Sequence, residues 1–123
     1  MGFCLSEKSQ QRLRGLHPDL VRVVHRALEI TPIDFMVIEG LRTRERQKYL
    51  FDKGATRTLN SRHITGHAVD LAPLKDGKPS WNWEDYYPLS EAMKTAAQEL
   101  GVQIEWGGDW TSFKDGPHWQ LPK

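Results

Sequence analysis

Three short segments of this chain carry residues that could do hydrolytic chemistry together. Residues 61–70 read Ser-Arg-His-Ile-Thr-Gly-His-Ala-Val-Asp, residues 115–119 read Asp-Gly-Pro-His-Trp, and residues 39–42 read Glu-Gly-Leu-Arg. Two imidazole nitrogens and one carboxylate oxygen make a catalytic zinc set, because three protein ligands leave a fourth tetrahedral position open for water. His63, Asp70 and His118 can supply those donors. Asp115 stands three residues before His118, with Pro117 between them opposing a continuous helix. A turn carrying Asp115 beside a strand carrying His118 would hold a free carboxylate near the water. Spacing alone leaves other readings open, since a histidine in a domain of this size is more often a surface or satisfied core residue. His63 and His67 are four apart, a ligand spacing if they lie on a helix. Gly66 and the alternation that follows it argue against that helix. His17 and His25 lie in or beside helical segments with no acidic partner pattern, and read as structural or solvated.

The elements that must position these residues can be read from periodicity and punctuation. A short polar helix is expected over 6–16 with Ser6 as N-cap. An amphipathic helix is expected over 18–30, where Leu20, Val23, Val24, Ala27 and Leu28 recur at three- and four-residue spacings. Thr31-Pro32 ends it. Residues 34–39 read as a buried strand, and Thr43 caps a helix running to about residue 53, stopped by Gly54. Residues 54–65 are loop-like and 67–71 form a second strand, with Ala68, Asp70 and Ala72 on one face and His67, Val69 and Leu71 on the other. The small neighbours of Asp70 leave room for a metal and a substrate. A long loop is expected over 73–87, a helix over 88–100 stopped by Gly101, a third strand over 102–106, a turn at Gly107-Gly108 and a short strand over 118–121. Helices flanking a small, largely antiparallel sheet make an α+β fold.

Composition sets the bounds. The chain has 123 residues, 38% hydrophobic and 27% charged, which suits one ordered domain over 1–123. Seventeen Lys and Arg against 16 Asp and Glu give a net charge of +1, without the basic excess of a nucleic-acid binder. Cys4 is the only cysteine, which excludes an internal disulfide and a Cys-rich zinc site. No apolar run approaches the ~20 residues of a membrane-spanning helix. The first residues turn polar before a signal-peptide apolar region can develop, so a soluble product made in the cytoplasm is expected.

Residues 61–70 match the S-x-H-x-x-G-x-A-x-D signature of the zinc peptidases of family M15, which includes D,D-carboxypeptidases and D-Ala-D-Ala dipeptidases. Residues 105–110, Glu-Trp-Gly-Gly-Asp-Trp, followed by Phe113 and Asp-Gly-Pro-His-Trp, resemble that family's C-terminal W-G-G-D…D-x-P-H segment. The runs 17–20 and 39–43 also resemble it, so the likeness spans nearly the whole chain, and its nearest subgroup is the short phage endolysins that act as L-alanyl-D-glutamate endopeptidases.

The resemblance implies a hedgehog/D-Ala-D-Ala-peptidase-like fold, with His63, Asp70 and His118 as zinc ligands and Asp115 as the catalytic base. Dipeptidase relatives carry glutamate at the base position; the aspartate here matches the endolysin-like members. Arg42 corresponds to an arginine that stabilises the developing oxyanion, and Ser61 to a serine that hydrogen-bonds substrate. The implied partner is the peptidoglycan stem peptide, cut between L-Ala and D-Glu by a monomer that binds no nucleic acid and inserts in no membrane. Such an enzyme is made in the host cytoplasm and reaches the wall after a holin opens the inner membrane. The alternatives are a D,D-carboxypeptidase or dipeptidase acting on D-Ala-D-Ala ends, or a non-catalytic module in which the metal only holds the fold.

Overall fold

Helix starts follow local chemistry closely in the N-terminal half, though the first helix ends at Arg12, short of the expected residue 16. The structure is a computed structural model and describes residues 3–122. Helix α1 (Glu7–Arg12) begins at Ser6, whose Oγ accepts from the Ser9 N–H at 3.1 Å and satisfies a donor the first turn leaves over. Helix α2 spans Pro18–Ile30; proline at its first position loses no helical hydrogen bond, and Leu20, Val23, Val24, Ala27 and Leu28 form its buried stripe. Strand β1 (Phe35–Glu39) follows, then helix α3 (Arg44–Asp52), opened by Thr43 accepting from the Arg46 N–H at 3.0 Å.

The middle of the chain departs from the sequence reading. Strand β2 runs Ala68–Lys75, past the expected end at residue 71 and through Pro73. Asp76 and Gly77, with φ of 54° and 78°, then turn the chain back into the short strand β3 (Lys78–Pro79). An Asp-Gly pair suits a tight hairpin because both residues tolerate positive φ. Helix α4 spans Trp83–Leu100 and so begins five residues before Pro88, where the helix was expected to start. Pro88 lies just beyond the first turn and removes a single main-chain hydrogen bond. Burial of Tyr86 and Leu89 on either side of it offsets that loss. The expected third strand contracts to β4 (Glu105–Trp106), a 3-10 turn covers Gly107–Asp109, and β5 spans His118–Gln120.

These elements form a small α+β domain. The sheet order is β1-β2-β5-β4 with antiparallel neighbours, and β3 pairs with the far end of β2. Helices α2 and α4 pack on each other, and the core they close includes Leu20, Val24, Phe35, Val37, Leu71 and Met93, each at most 1% exposed. Each such side chain contributes roughly 1.5–3 kcal/mol of burial free energy. Among the described residues no helix is long and apolar enough to cross a membrane.

Register is what matters for function. Asp70, in the central strand, faces Glu39 of β1 on one side and His118 of β5 on the other. The register of β1 slips between Val37 and Glu39, a bulge at Ile38 that re-aims Glu39 at the strand end.

Candidate metal centre

The loop carrying His63 is tied down at several points. Gly66 holds φ of 80°, and a Cβ there would lie 2.7 Å from the Gly15 carbonyl oxygen, so only glycine fits without displacement. Its carbonyl accepts from the His17 N–H at 2.8 Å. The Arg42 N–H donates to the His63 carbonyl at 3.0 Å, and the His63 N–H donates to Ser61 Oγ at 3.1 Å. His63 is thereby held in the interior at 2% exposure.

The segment before β5 is pinned as firmly. The Asp115 N–H donates to Gly107 at 3.0 Å, Trp106 Nε1 donates to Gly116 at 2.7 Å, and the Leu71 N–H donates to Pro117 at 2.8 Å. A Cβ at Gly107 would overlap the Asp115 carbonyl, which explains a glycine in the turn that backs this segment. The result is a β-strand presenting His118 and a preceding turn presenting Asp115, as the sequence suggested.

His63, Asp70 and His118 come together: one potential ligand atom from each lies within 4.8 Å of the others. Asp70 Oδ1 is 3.2 Å from His63 Nε2 and 3.3 Å from His118 Nδ1. The outer nitrogens decide what occupies the centre. His63 Nδ1 lies 2.9 Å from the Gly40 carbonyl, which can only accept, so that nitrogen carries a proton. Gln120 donates its Nε2 to Glu105 at 3.0 Å and turns Oε1 to His118 Nε2 at 2.8 Å, so that nitrogen carries a proton too. In neutral imidazoles the two inner nitrogens then offer lone pairs to a carboxylate oxygen. Such converging acceptors can be satisfied by a proton on an imidazole or by a metal ion, and the outer hydrogen bonds to carbonyl oxygens are of the kind that orient metal-binding histidines. The donor set of two nitrogens and one carboxylate oxygen fits zinc.

The protonation tendencies of the metal-free centre follow from the same contacts. Burial pushes the Asp70 carboxyl up, but hydrogen bonds and charge from His118 and His63 outweigh it and hold the group well below the usual carboxylate range. Burial lowers His118, yet its hydrogen bond to Asp70 and that carboxylate's charge prevail, and its net shift is upward. Asp115 is raised by desolvation and by the charge of Asp70, against the pull of His118, His63 and Arg42. Tyr86, packed on Gly116, is pushed up to about 12 by burial and by the charges of Asp115 and Asp70.

A cleft of about 610 Å³ opens onto this centre. Asp115 stands exposed on its wall, and Ser61 lines it while its Oγ accepts from His63. Arg42 is buried beside Asp70, with Nη2 at 3.7 Å from Oδ2. It forks onto Glu39 through Nε at 2.9 Å and Nη2 at 2.7 Å, and Nη1 donates to Gln47 at 2.8 Å. Three of its five N–H groups are thus used, leaving two. Trp110 packs on the His118 ring at 5.2 Å between centroids, whereas Asp109 pairs with Lys94 at 2.8 Å on the surface. Trp81, Trp83, Tyr86 and Tyr87 do not line the cleft; Tyr86 is buried and the other three are exposed elsewhere. His67 bonds Thr65 Oγ1 at 2.7 Å and lies against the His17 ring, tilted, at 5.4 Å between centroids, outside the centre.

Sequence reasoning missed Gln47, Gln120 and the cleft loop around Arg57. Gln120 had a signal, for it stands two residues beyond His118 on the same strand face. Gln47, a fully buried amide in a polar helix, had none.

Comparison with known proteins agrees with this architecture. The chain is 34% identical over 119 residues to the L-alanyl-D-glutamate peptidase of Escherichia phage T5, covering 94% of this chain and 87% of that protein. It is 35% identical over 108 residues to the peptidoglycan L-alanyl-D-glutamate endopeptidase CwlK of Bacillus subtilis, covering 72% of this chain and 61% of that protein. The crystal structure of the Serratia marcescens L-Ala D-Glu endopeptidase ChiX superposes with a TM-score of 0.91 at 46% identity, covering 97% of this chain and 90% of that one. The vancomycin resistance D,D-dipeptidase VanXYg shares the fold, with a TM-score of 0.57 at 17% identity over 86% of this chain and 50% of that one. The family model of the phage L-alanyl-D-glutamate peptidases matches residues 1–120, and the chain belongs to that family.

Proposed function

We propose that this chain is a zinc-dependent endopeptidase of the endolysin type that hydrolyses the L-Ala–D-Glu bond of the peptidoglycan stem peptide. The observation that carries the reading is the convergence of His63 Nε2, His118 Nδ1 and Asp70 Oδ1, with both outer imidazole nitrogens committed to carbonyl oxygens. In this reading His63, Asp70 and His118 hold one zinc ion. Bound there, zinc supplies acidification of water, from a pKa of ~15.7 towards ~7, and polarisation of a carbonyl.

The chain's own groups do the rest. Asp115 accepts the proton of the attacking water and returns it to the leaving amine of D-Glu. Its exposure on the cleft wall and its freedom from any ion pair among the described residues suit it to meet substrate. Arg42 directs its two unspent N–H groups at the oxygen that gains negative charge, held in place by Glu39 and Gln47. Ser61, whose hydroxyl proton remains available, hydrogen-bonds the peptide backbone of the substrate. As a phage lysis enzyme the protein would be made in the host cytoplasm and meet the wall after holin-dependent release, acting as a single domain over 1–123 and as a monomer.

The test is a digest of purified murein followed by mass spectrometry of the new termini, repeated after chelation and zinc add-back. New L-Ala carboxyl and D-Glu amino termini that vanish with chelator and return with zinc support the reading. Release of D-Ala alone would mark a D,D-carboxypeptidase. Binding without new amino groups would mark a non-catalytic module.

A further inference from the structure

The proposed cleavage sets a charge beside the scissile bond that the cleft must accommodate. In the stem peptide D-Glu is joined onward through its γ-carboxyl, so its α-carboxylate is free and lies two bonds from the scissile nitrogen. The arginines on the cleft wall other than Arg57 are already engaged. Arg42 is forked onto Glu39, and Arg62 turns Nη2 towards the Leu121 and Pro122 carbonyls at 2.8 and 3.4 Å. Asp70 sits between two imidazoles. Among the described residues lining the cleft, Arg57 is the cation with neither an ion pair nor a side-chain hydrogen bond.

Arg57 is nevertheless held. Its guanidinium carbon lies 3.2 Å from the centroid of the Phe113 ring. Arg57 comes from the loop after α3 and Phe113 from the segment after the 3-10 turn, so the pair joins the two loops that border the cleft. Phe113 holds φ of 54°, a left-handed conformation unfavourable for a side-chain-bearing residue, and the residue is 57% exposed. An aromatic face under a guanidinium fixes its plane and leaves its N–H edge open, the geometry that receives a carboxylate through two parallel hydrogen bonds.

We propose that Arg57, propped on Phe113, binds the free α-carboxylate of the D-Glu residue and makes the enzyme select stem peptides in which that carboxylate is not amidated. The proposal rests on the L-Ala–D-Glu reading above. It assigns Arg57 to substrate selection, while the metal centre and Asp115 carry the chemistry.

The experiment compares two synthetic stem peptides that differ only in whether the D-Glu α-carboxyl is free or an amide, cleaved by the zinc-loaded protein. The wild type is expected to favour the free carboxylate by about 10-fold or more in kcat/KM, mostly through KM, as suits a charge-assisted contact. Arg57→Ala removes that preference by raising KM for the carboxylate peptide alone, and Arg57→Lys restores part of it. Phe113→Leu, which leaves the charge but removes its aromatic support, lowers the preference by a smaller factor. A wild type indifferent to amidation, or an Arg57→Ala protein slowed equally on both peptides, overturns the assignment. A wild type that digests murein but cuts neither peptide between L-Ala and D-Glu overturns the functional reading instead, and the assignment with it.

Discussion

Replacing Asp115 by alanine separates the metal centre from the proton-transfer step. The substitution keeps the Cβ that packs at Gly107, and it leaves intact the backbone bonds from Asp115 N–H to Gly107 and from His118 N–H to Asp115. Asp115 is exposed as a residue and makes no ion pair among the described residues, and its removal relieves the desolvation and the repulsion from Asp70 that raise its carboxyl, so stability should fall by no more than about 0.5 kcal/mol. His63 and His118, two of the three proposed ligands, keep their outer hydrogen bonds to Gly40 and Gln120, so zinc stoichiometry should stay at one. Turnover, by contrast, loses a positioned base worth roughly 10²–10⁴-fold, or about 2.7–5.4 kcal/mol of barrier. Release of amino groups from murein, zinc content by atomic spectrometry and a thermal melt on the same preparation measure all three. His118→Ala is the control that should lose zinc and activity together. An Asp115→Ala protein with unchanged turnover, or one that loses its zinc, refutes the assignment of this carboxylate.

Other consequences can be measured directly. In the metal-free protein the folded-state value of Asp70 lies below its unfolded value, so its stabilisation is present above about pH 4 and lost as pH falls further. His118 is raised, so its stabilisation is present below about pH 6.5 and lost as pH rises through the folded value. Melts of chelated protein should therefore peak between those limits and fall towards pH 8, while added zinc stabilises most at the alkaline end, where no proton competes for His118; a flat chelated profile would contradict this. Glu39→Gln removes the anion that faces the buried Arg42 guanidinium and should cost roughly 1.5–3 kcal/mol in urea unfolding with an unchanged m value. Gly66→Ala forces a side chain into positive φ against the Gly15 carbonyl and should cost more than about 1 kcal/mol while lowering zinc affinity through His63.

Much of this molecule was legible in its residues, and the exceptions have physical causes. Caps at Ser6 and Thr43 and the stripe of α2 are local signals, and the elements they mark start where expected. Residues 73–87 read as loop because Pro73, Gly77 and Pro79 oppose regular structure, and Pro88 read as the first residue of a helix, yet Pro73 and Pro79 are accommodated in paired strands and Pro88 inside α4. Tertiary burial of Tyr86 and Leu89 overrides the local preference there. At the site, residue types pointed to His63, Asp70, His118 and Asp115. No sequence distance could show that Asp70 pairs across the sheet with both Glu39 and His118. The Glu39–Arg42–Gln47 network was invisible for the same reason, since it depends on the bulge at Ile38 and on which face of α3 turns inward.

The central claim is that one zinc ion binds between His63, Asp70 and His118, and anomalous diffraction at the zinc edge from zinc-loaded crystals tests it most directly. A single strong peak is predicted within bonding distance of His63 Nε2, a carboxylate oxygen of Asp70 and His118 Nδ1, with His63 Nδ1 still donating to Gly40 and His118 Nε2 to Gln120. A peak at any other place, or contact through the opposite nitrogen of either ring, would contradict it.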